Sequence, residues 1–376
     1  MHHPICGLEH LHRHSDFSLL DGFAMVKEYA ERMRQVNQKY LCITDHGVMG
    51  AVPQQIFWSD NCIDDKGNTK PSSQKLFPLF GCELYVNSMQ PEVETREESA
   101  EFRKALGTGG KEASPEQKKF DKSCHLLAIA YNNVGYSNLV RLTSWAWIHG
   151  YYRRPRVNHE VLMKYKEGII FTSSCGNSEI ANAFMGQKDE EKNAIFDEDA
   201  GMQMLEKYMA MFGEHFYLEL MMLDWKMQKP YDAFLIKAHE KYGIPLIITQ
   251  DCHYCKQEHS YNQRLMLMQQ NHRTLGEVQA MIDAGDADDL FELQDTNLWL
   301  KSEDELNLKW ETDYSEIIPY ELFQQSKSNT VKICEYAKGV ELDRQIKLPR
   351  MPDAEDVLMD HIKRGFLARH CPKTQE

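Results

Sequence analysis

Seven short apolar runs, most of them ending in a polar turn and followed by a helical pattern, restrict what this chain can fold into more than any other feature. The first lies within His10-Leu11-His12-Arg13-His14-Ser15-Asp16-Phe17-Ser18-Leu19-Leu20-Asp21-Gly22, which reads as a short strand, a tight polar turn and the start of a helix. The others cover residues 40–44, 76–86, 126–131, 168–172, 216–220 and 245–249, with helical patterns over 22–39, 138–149, 200–212 and 230–242. Strands alternating with helices of this length predict a parallel sheet with helical crossovers, and seven of them predict a closed or nearly closed α/β barrel. In such a barrel the chemistry gathers where the strands end.

Residues of metal-binding type sit at most of those ends. Asp45-His46-Gly47 follows the second run, Gly81-Cys82-Glu83 lies in the third, Ser173-Ser174-Cys175-Gly176 follows the fifth, and Gln250-Asp251-Cys252-His253 the seventh. In an extended segment His10, His12 and His14 point the same way, and two neutral imidazoles two residues apart can grip one cation. The alternative for that stretch is a solvated histidine-rich arm or tag, encouraged by His2 and His3, but Leu11, Phe17, Leu19 and Leu20 look built for packing. The candidate ligands are His12, His14, Asp21, His46, Glu83, His125, Cys175, Asp251 and His253. Nine such groups are too many for one ion and suffice for two or three ions sharing a bridging carboxylate. His125 precedes its apolar run, and pattern alone does not place it.

Composition narrows the partners. A formal charge of -14 argues against coating duplex DNA by bulk electrostatics, so nucleic acid would need a local basic patch or metal ions. Arg153, Arg154 and Arg156, with Tyr151 and Tyr152, form such a patch, able to grip phosphates and stack a terminal base or to serve only as a solvated loop. The ten cysteines lack the spacing of a disulfide framework, and no run approaches a membrane span or a signal sequence, so a cytoplasmic protein without membrane contact is expected. Residues 59–75 and 87–122 read as insertions, favoured as mobile loops without chemical importance. A barrel over 1–270 would be followed over 271–376 by a small helical extension, with helices near 275–284, 302–308, 319–338 and 354–370 and a linker at 348–352.

The turns just described resemble, in order, the motifs of the PHP family, named for polymerase and histidinol phosphatase. The matching pieces are the stretch from His10 to Gly22, Ile43-Thr44-Asp45-His46-Gly47, Gly81-Cys82-Glu83-Leu84-Tyr85-Val86, His125-Leu126-Leu127-Ala128, Ser173-Ser174-Cys175-Gly176 and Asp251-Cys252-His253-Tyr254. The likeness is nearest to the branch at the N-terminus of bacterial replicative polymerases, the DNA polymerase III α subunits. It extends to Tyr151-Tyr152-Arg153-Arg154-Pro155-Arg156 and to residues 329–349.

That resemblance implies a distorted seven-stranded, TIM-barrel-like β/α barrel with a trinuclear centre of zinc, manganese or iron. His12, His14, Glu83 and Asp251 would hold one ion; Glu83, His125 and Cys175 a second; Asp21, His46 and His253 a third. No ligand of the set is missing. Such a centre suits phosphoester hydrolysis, because clustered divalent ions lower the pKa of bound water to about 7 in the best cases and need no side-chain nucleophile. The expected activity is 3′–5′ exonucleolytic proofreading on a single-stranded 3′ end or primer terminus, with Asp21, His46, Glu83 and His253 at the reacting centre and Tyr152, Arg153, Arg154 and Arg156 on the DNA. Polymerases of that branch continue into a palm where this sequence stops at Glu376, so a part of, or partner to, such a polymerase is expected. Two alternatives are a metal-stabilised scaffold that binds a polymerase core or other replication subunits, and a small-molecule phosphatase of histidinol phosphate type.

Overall fold

The computed structural model describes residues 7–92, 95–106, 114–189, 194–284, 297–345 and 351–369. Its main sheet contains β1 (Tyr40–Ile43), β2 (Phe77–Val86), β3 (Cys124–Ala130), β4 (Arg154–Val157), β5 (Ile169–Thr172), β6 (Phe216–Met221) and β7 (Leu246–Thr249), with the short strand Tyr151–Tyr152 beyond β4. The path runs β7-β6-β5-β3-β2, where β2 also pairs with β1 and β4. Most of these strands are apolar and buried on both faces, as strands of a helix-covered sheet must be.

One strand departs from the parallel expectation. β3 runs antiparallel to both of its neighbours, with Tyr85 opposite His125 and Ala128 opposite Phe171. The beginning of β3 therefore faces the rim reached by the ends of the other strands. That reversal places His125, which precedes its apolar run.

The first apolar run is not a ladder strand either. It lies across the gap between β1 and β7: the His14 amide donates to Cys252 O at 2.8 Å, the Cys252 amide to His12 O at 3.0 Å, and the Thr44 amide to Arg13 O at 2.8 Å. The buried Arg13 guanidinium fixes this crossing by donating to the carbonyls of His10 (3.1 Å) and Tyr40 (2.8 Å). The sheet thus curls into the distorted barrel expected, with its first segment as a loosely bonded stave.

Beyond residue 270 the helices belong to the same compact unit, which runs to Val340, so the boundary expected at 270/271 is displaced. The reason is the free side of β7. Asn329 donates to Leu246 O at 2.9 Å, and Thr330 Oγ1 accepts from the Ile248 amide at 3.1 Å, so the helix Tyr320–Ala337 satisfies an otherwise bare strand edge. Residues 341–376 form a second unit containing the helix Ala354–Ala368, and the linker expected at 348–352 lies mostly outside the described residues. No described helix is long and apolar enough to cross a membrane.

Both insertions carry structure, contrary to the loops expected. The first holds an antiparallel pair, Asn61–Ile63 with Thr69–Pro71. The second holds helices Arg96–Leu106 and Pro115–Asp121, tied to the barrel where Asn87 Nδ2 donates to Phe120 O and Lys119 O at 3.1 Å and to Lys122 O at 2.6 Å. Arg156 belongs to this tie and not to a DNA-facing surface: it is fully buried, lies over the Phe120 ring at 4.3 Å, and donates to Gln90 Oε1 at 2.6 Å and to Phe120 O. Tyr152 is drawn the same way, its hydroxyl donating to Asp121 at 2.8 Å and its ring under the Arg156 guanidinium at 4.8 Å.

Replacing a hydrogen-bonded buried guanidinium by an alkyl chain leaves its acceptors unsatisfied. Arg156→Leu should lower unfolding stability by about 3 kcal/mol, measured by urea denaturation. A stable variant would show that Arg156 does not anchor the insertion.

Candidate metal centre

The Glu83 carboxylate, fully buried within the second half of β2, is the hub. Its Oε1 lies 3.2 Å from His12 Nε2 and 3.3 Å from His125 Nδ1; its Oε2 lies 2.9 Å from His46 Nδ1 and 3.3 Å from His14 Nε2. Asp251 Oδ1 approaches His12 Nε2 at 3.3 Å and His14 Nε2 at 3.1 Å. Asp21 Oδ2 sits 3.1 Å from both His46 Nε2 and His253 Nε2. Cys175 Sγ lies 3.3 Å from His125 Nδ1 and 3.8 Å from Glu83 Oε1. All nine candidate ligands therefore meet at one rim, although they are drawn from six separate segments of chain.

Reaching that rim strains the backbone. Asp251 itself has φ +46°, Ser174 beside Cys175 has φ +52°, and Leu20 beside Asp21 has φ +61°. Non-glycine residues rarely adopt this region, and such strain concentrates at functional sites. Gly22 is required for a different reason: a Cβ there would come within 2.1 Å of Ser15 O, so only glycine lets the turn carrying Asp21 fold back.

Neighbouring acceptors fix the tautomers of three imidazoles. His12 Nδ1 faces Glu219 Oε2 at 3.1 Å, and His253 Nδ1 faces the Asp251 carbonyl at 2.8 Å. Ser18 Oγ spends its one proton on Asp45 Oδ1 at 3.0 Å, so it accepts from His14 Nδ1 at 3.1 Å. In the neutral rings each Nε2 therefore carries a lone pair that points at carboxylate oxygens. Among the described residues, the buried His12 Nε2, His14 Nε2, His46 Nδ1, Glu83 Oε2 and Asp251 Oδ1 find no hydrogen-bond partner. Acceptors this close repel unless a cation or a proton lies between them, so the donor set fits divalent metal. Three groups of atoms, each within 4.8 Å of one another, offer the positions: His14, Asp21, His46 and His253; His12, His14 and Asp251; His46, Glu83 and His125.

Without metal, protons take that role. Burial disfavours the charged imidazolium of His12, but Asp251, Glu83 and Glu219 outweigh it and raise its pKa well above the usual range. His46 is raised well above that range too, and Asp21 and Asp251 carry His253 up to about 9 against its burial. Burial alone would push Glu83 and Asp21 up, yet the surrounding imidazoles hold both well below the carboxylate range. Burial and the nearby carboxylates raise the Cys175 thiol well above its ordinary value.

Sequence reasoning missed the residues that orient the ligands. Glu219, wholly buried, accepts from Thr249 Oγ1 at 2.6 Å and from Thr172 as well as from His12. A lone acid inside the apolar run Phe216-Tyr217-Leu218-Glu219-Leu220 was the available signal. Asp45 accepts from the Ser15 amide at 2.6 Å, and Ser174 Oγ donates to Glu83 at 2.5 Å. His10, expected to point with His12 and His14, turns away to Lys301 O at 3.0 Å.

Imidazole, carboxylate and thiol groups gathered at one rim of a distorted α/β barrel form a cluster that could hold metal ions. The family model described as PHP domain matches residues 10–222, and the chain belongs to that family. It is 30% identical over 260 residues to the DNA polymerase III subunit alpha of Borreliella burgdorferi, covering 69% of this chain and 19% of the relative. The Treponema pallidum protein of the same name is 31% identical over the same length, and that of Saccharopolyspora erythraea is 26% identical over 357 residues, covering 93% of this chain and 26% of the relative. The chain spans about a fifth of the length of the first two relatives.

Two outcomes follow for metal binding. Glu219→Gln, which weakens the acceptor behind His12, should reduce Mn²⁺ or Zn²⁺ affinity about 10- to 100-fold in a competition titration with a chromophoric chelator. The metal-free protein holds on His253 a proton that the unfolded chain releases above pH 6.5, so this stabilisation is complete below 6.5 and lost as pH rises through about 9. Metal displaces that proton, so the gain in thermal midpoint on adding Mn²⁺ should grow between pH 6.5 and 9. A gain independent of pH would place the metal elsewhere.

Proposed function

We propose that this domain hydrolyses phosphodiester bonds of DNA as a 3′–5′ exonuclease serving a replicative polymerase. The observation that carries the reading is the approach of the His12, His14 and His253 Nε2 atoms to oxygens of Glu83, Asp251 and Asp21 at 3.1–3.2 Å. His12, His14, Glu83 and Asp251 would hold one ion, Glu83, His125 and Cys175 a second, and Asp21, His46 and His253 a third. Ions there would supply a deprotonated water and neutralise phosphoryl oxygens. The donor chemistry accommodates Zn²⁺, Mn²⁺ or Fe²⁺.

The side chains divide the remaining work. Glu219, Ser18 and the Asp251 carbonyl hold the imidazole rings in the tautomer that leaves Nε2 free. Asp21, His46 and His125 line the adjoining recess and form the edge of the cluster that a substrate meets first. Arg153 and Arg154 are exposed at that recess, and among the described residues neither makes an ion pair, so both guanidiniums are available to phosphates. Polymerase α subunits as relatives support a polymerase core as partner and a DNA end as substrate.

The purified chain with Mn²⁺ should shorten 5′-labelled single-stranded or mismatched primer DNA from its 3′ end. Asp21→Asn and His253→Ala should lower the rate by about a hundredfold or more with the thermal midpoint retained. Phosphate release from histidinol phosphate with DNA left intact would move the reading to a small-molecule phosphatase. Inertness on every substrate, with stability lost on chelation, would make the centre structural.

A further inference from the structure

The recess beside the cluster has a volume of about 370 Å³, near the lower end of the range for small-ligand sites. Besides Asp21, His46 and His125 it is lined by Trp147, Tyr151, Arg153 and Arg154. Trp147, in the last turn of the helix Asn133–Ile148, and Tyr151 stack with ring centres 5.3 Å apart and planes 22° apart. Both stay about half in water, 46% and 47% exposed. The Trp147 indole is held in place, donating to Gly47 O at 2.9 Å, the residue after His46. A rigid, wet aromatic stack one residue from a metal-type ligand, with two cations next to it in a chain of charge -14, is poorly explained by packing.

We propose that this recess receives the terminal nucleotide of a single strand, its base stacked on the Trp147–Tyr151 pair and its backbone drawn to Arg153 and Arg154. The inference rests on the phosphodiesterase reading and specifies its substrate as an unpaired end. A paired, stacked base has its faces covered, whereas an unpaired terminal base offers one to an aromatic ring. Every base has such a face, so the recess selects for strandedness without selecting for sequence.

The test is fluorescence anisotropy with the full chain in chelator and a 5′-fluorescein oligothymidylate, compared with the same oligonucleotide made abasic at its 3′-terminal residue. The wild type should bind the abasic strand about tenfold more weakly, the size expected for one lost base–aromatic stack. Trp147→Ala and, separately, Tyr151→Ala should bind the intact strand about tenfold more weakly and no longer distinguish the two strands. Trp147→Phe should recover most of the discrimination. Losses that multiply, with each alanine variant still preferring the intact strand tenfold, would put the base elsewhere and overturn the inference. Parallel digestion with Mn²⁺ separates the two proposals. Cleavage by a wild type indifferent to the abasic end overturns the recess assignment alone. Coupled binding without cleavage of either strand upholds the recess and overturns the phosphodiesterase reading.

Discussion

A carboxylate buried completely, whose ion-pair partners are all imidazoles, is the constraint around which this chain is arranged. Among the described residues no arginine or lysine pairs with Glu83 to offset its burial. Its charge is held only while imidazolium or metal stands beside it, which makes the interior of the barrel's rim a place that demands cations. The rest of the rim is built so that imidazole protons or metal must meet that demand. Glu219, Ser18 and the Asp251 carbonyl take up the outer nitrogens, so the inner ones have nothing to do but face oxygen.

Meeting that demand from six segments explains several departures from regular structure. The strained residues Leu20, Ser174 and Asp251 each lie at or next to a candidate ligand, at a cost of order 1–3 kcal/mol each that ligation would offset. The first segment forgoes a regular ladder and crosses between β1 and β7, which lets His12 and His14 enter the rim from the one side where the sheet does not close on itself.

Much of this was legible because ligands are polar residues at the ends of apolar runs, and both signals are local. The nine candidate ligands and six of the sheet's strands were therefore readable from the pattern, whereas the strand Arg154–Val157 and the helices Val52–Asp60 and Glu179–Met185 were not. Strand direction was not, since an apolar run such as residues 126–131 carries no mark of its orientation. His125 stayed unplaced until β3 proved antiparallel. His10 failed for a related reason: alternation predicts facing only while the chain stays extended, and here the Arg13 side chain reaches back to the His10 carbonyl and His10 turns toward Lys301. The helix Tyr320–Ala337 gave no sequence sign that Asn329 and Thr330 would complete β7, because satisfying a strand edge with side chains leaves no periodicity.

Arg154 and Arg156 show how far function here depends on what covers a residue. They sit two apart on β4, on the same face of the strand, and composition cannot tell them apart. The insertion closes over Arg156, whose charge is then used up on Gln90 and the Phe120 carbonyl, while Arg154 remains at the recess with its guanidinium 5.5 Å above the Tyr85 ring. Tyr85 in turn stacks on His46 at 5.4 Å, so a single ring separates the exposed cation from the cluster. A segment that looked dispensable thus decides which of two adjacent arginines stabilises the fold and which is left facing the metal-type rim, and it does so by burial alone.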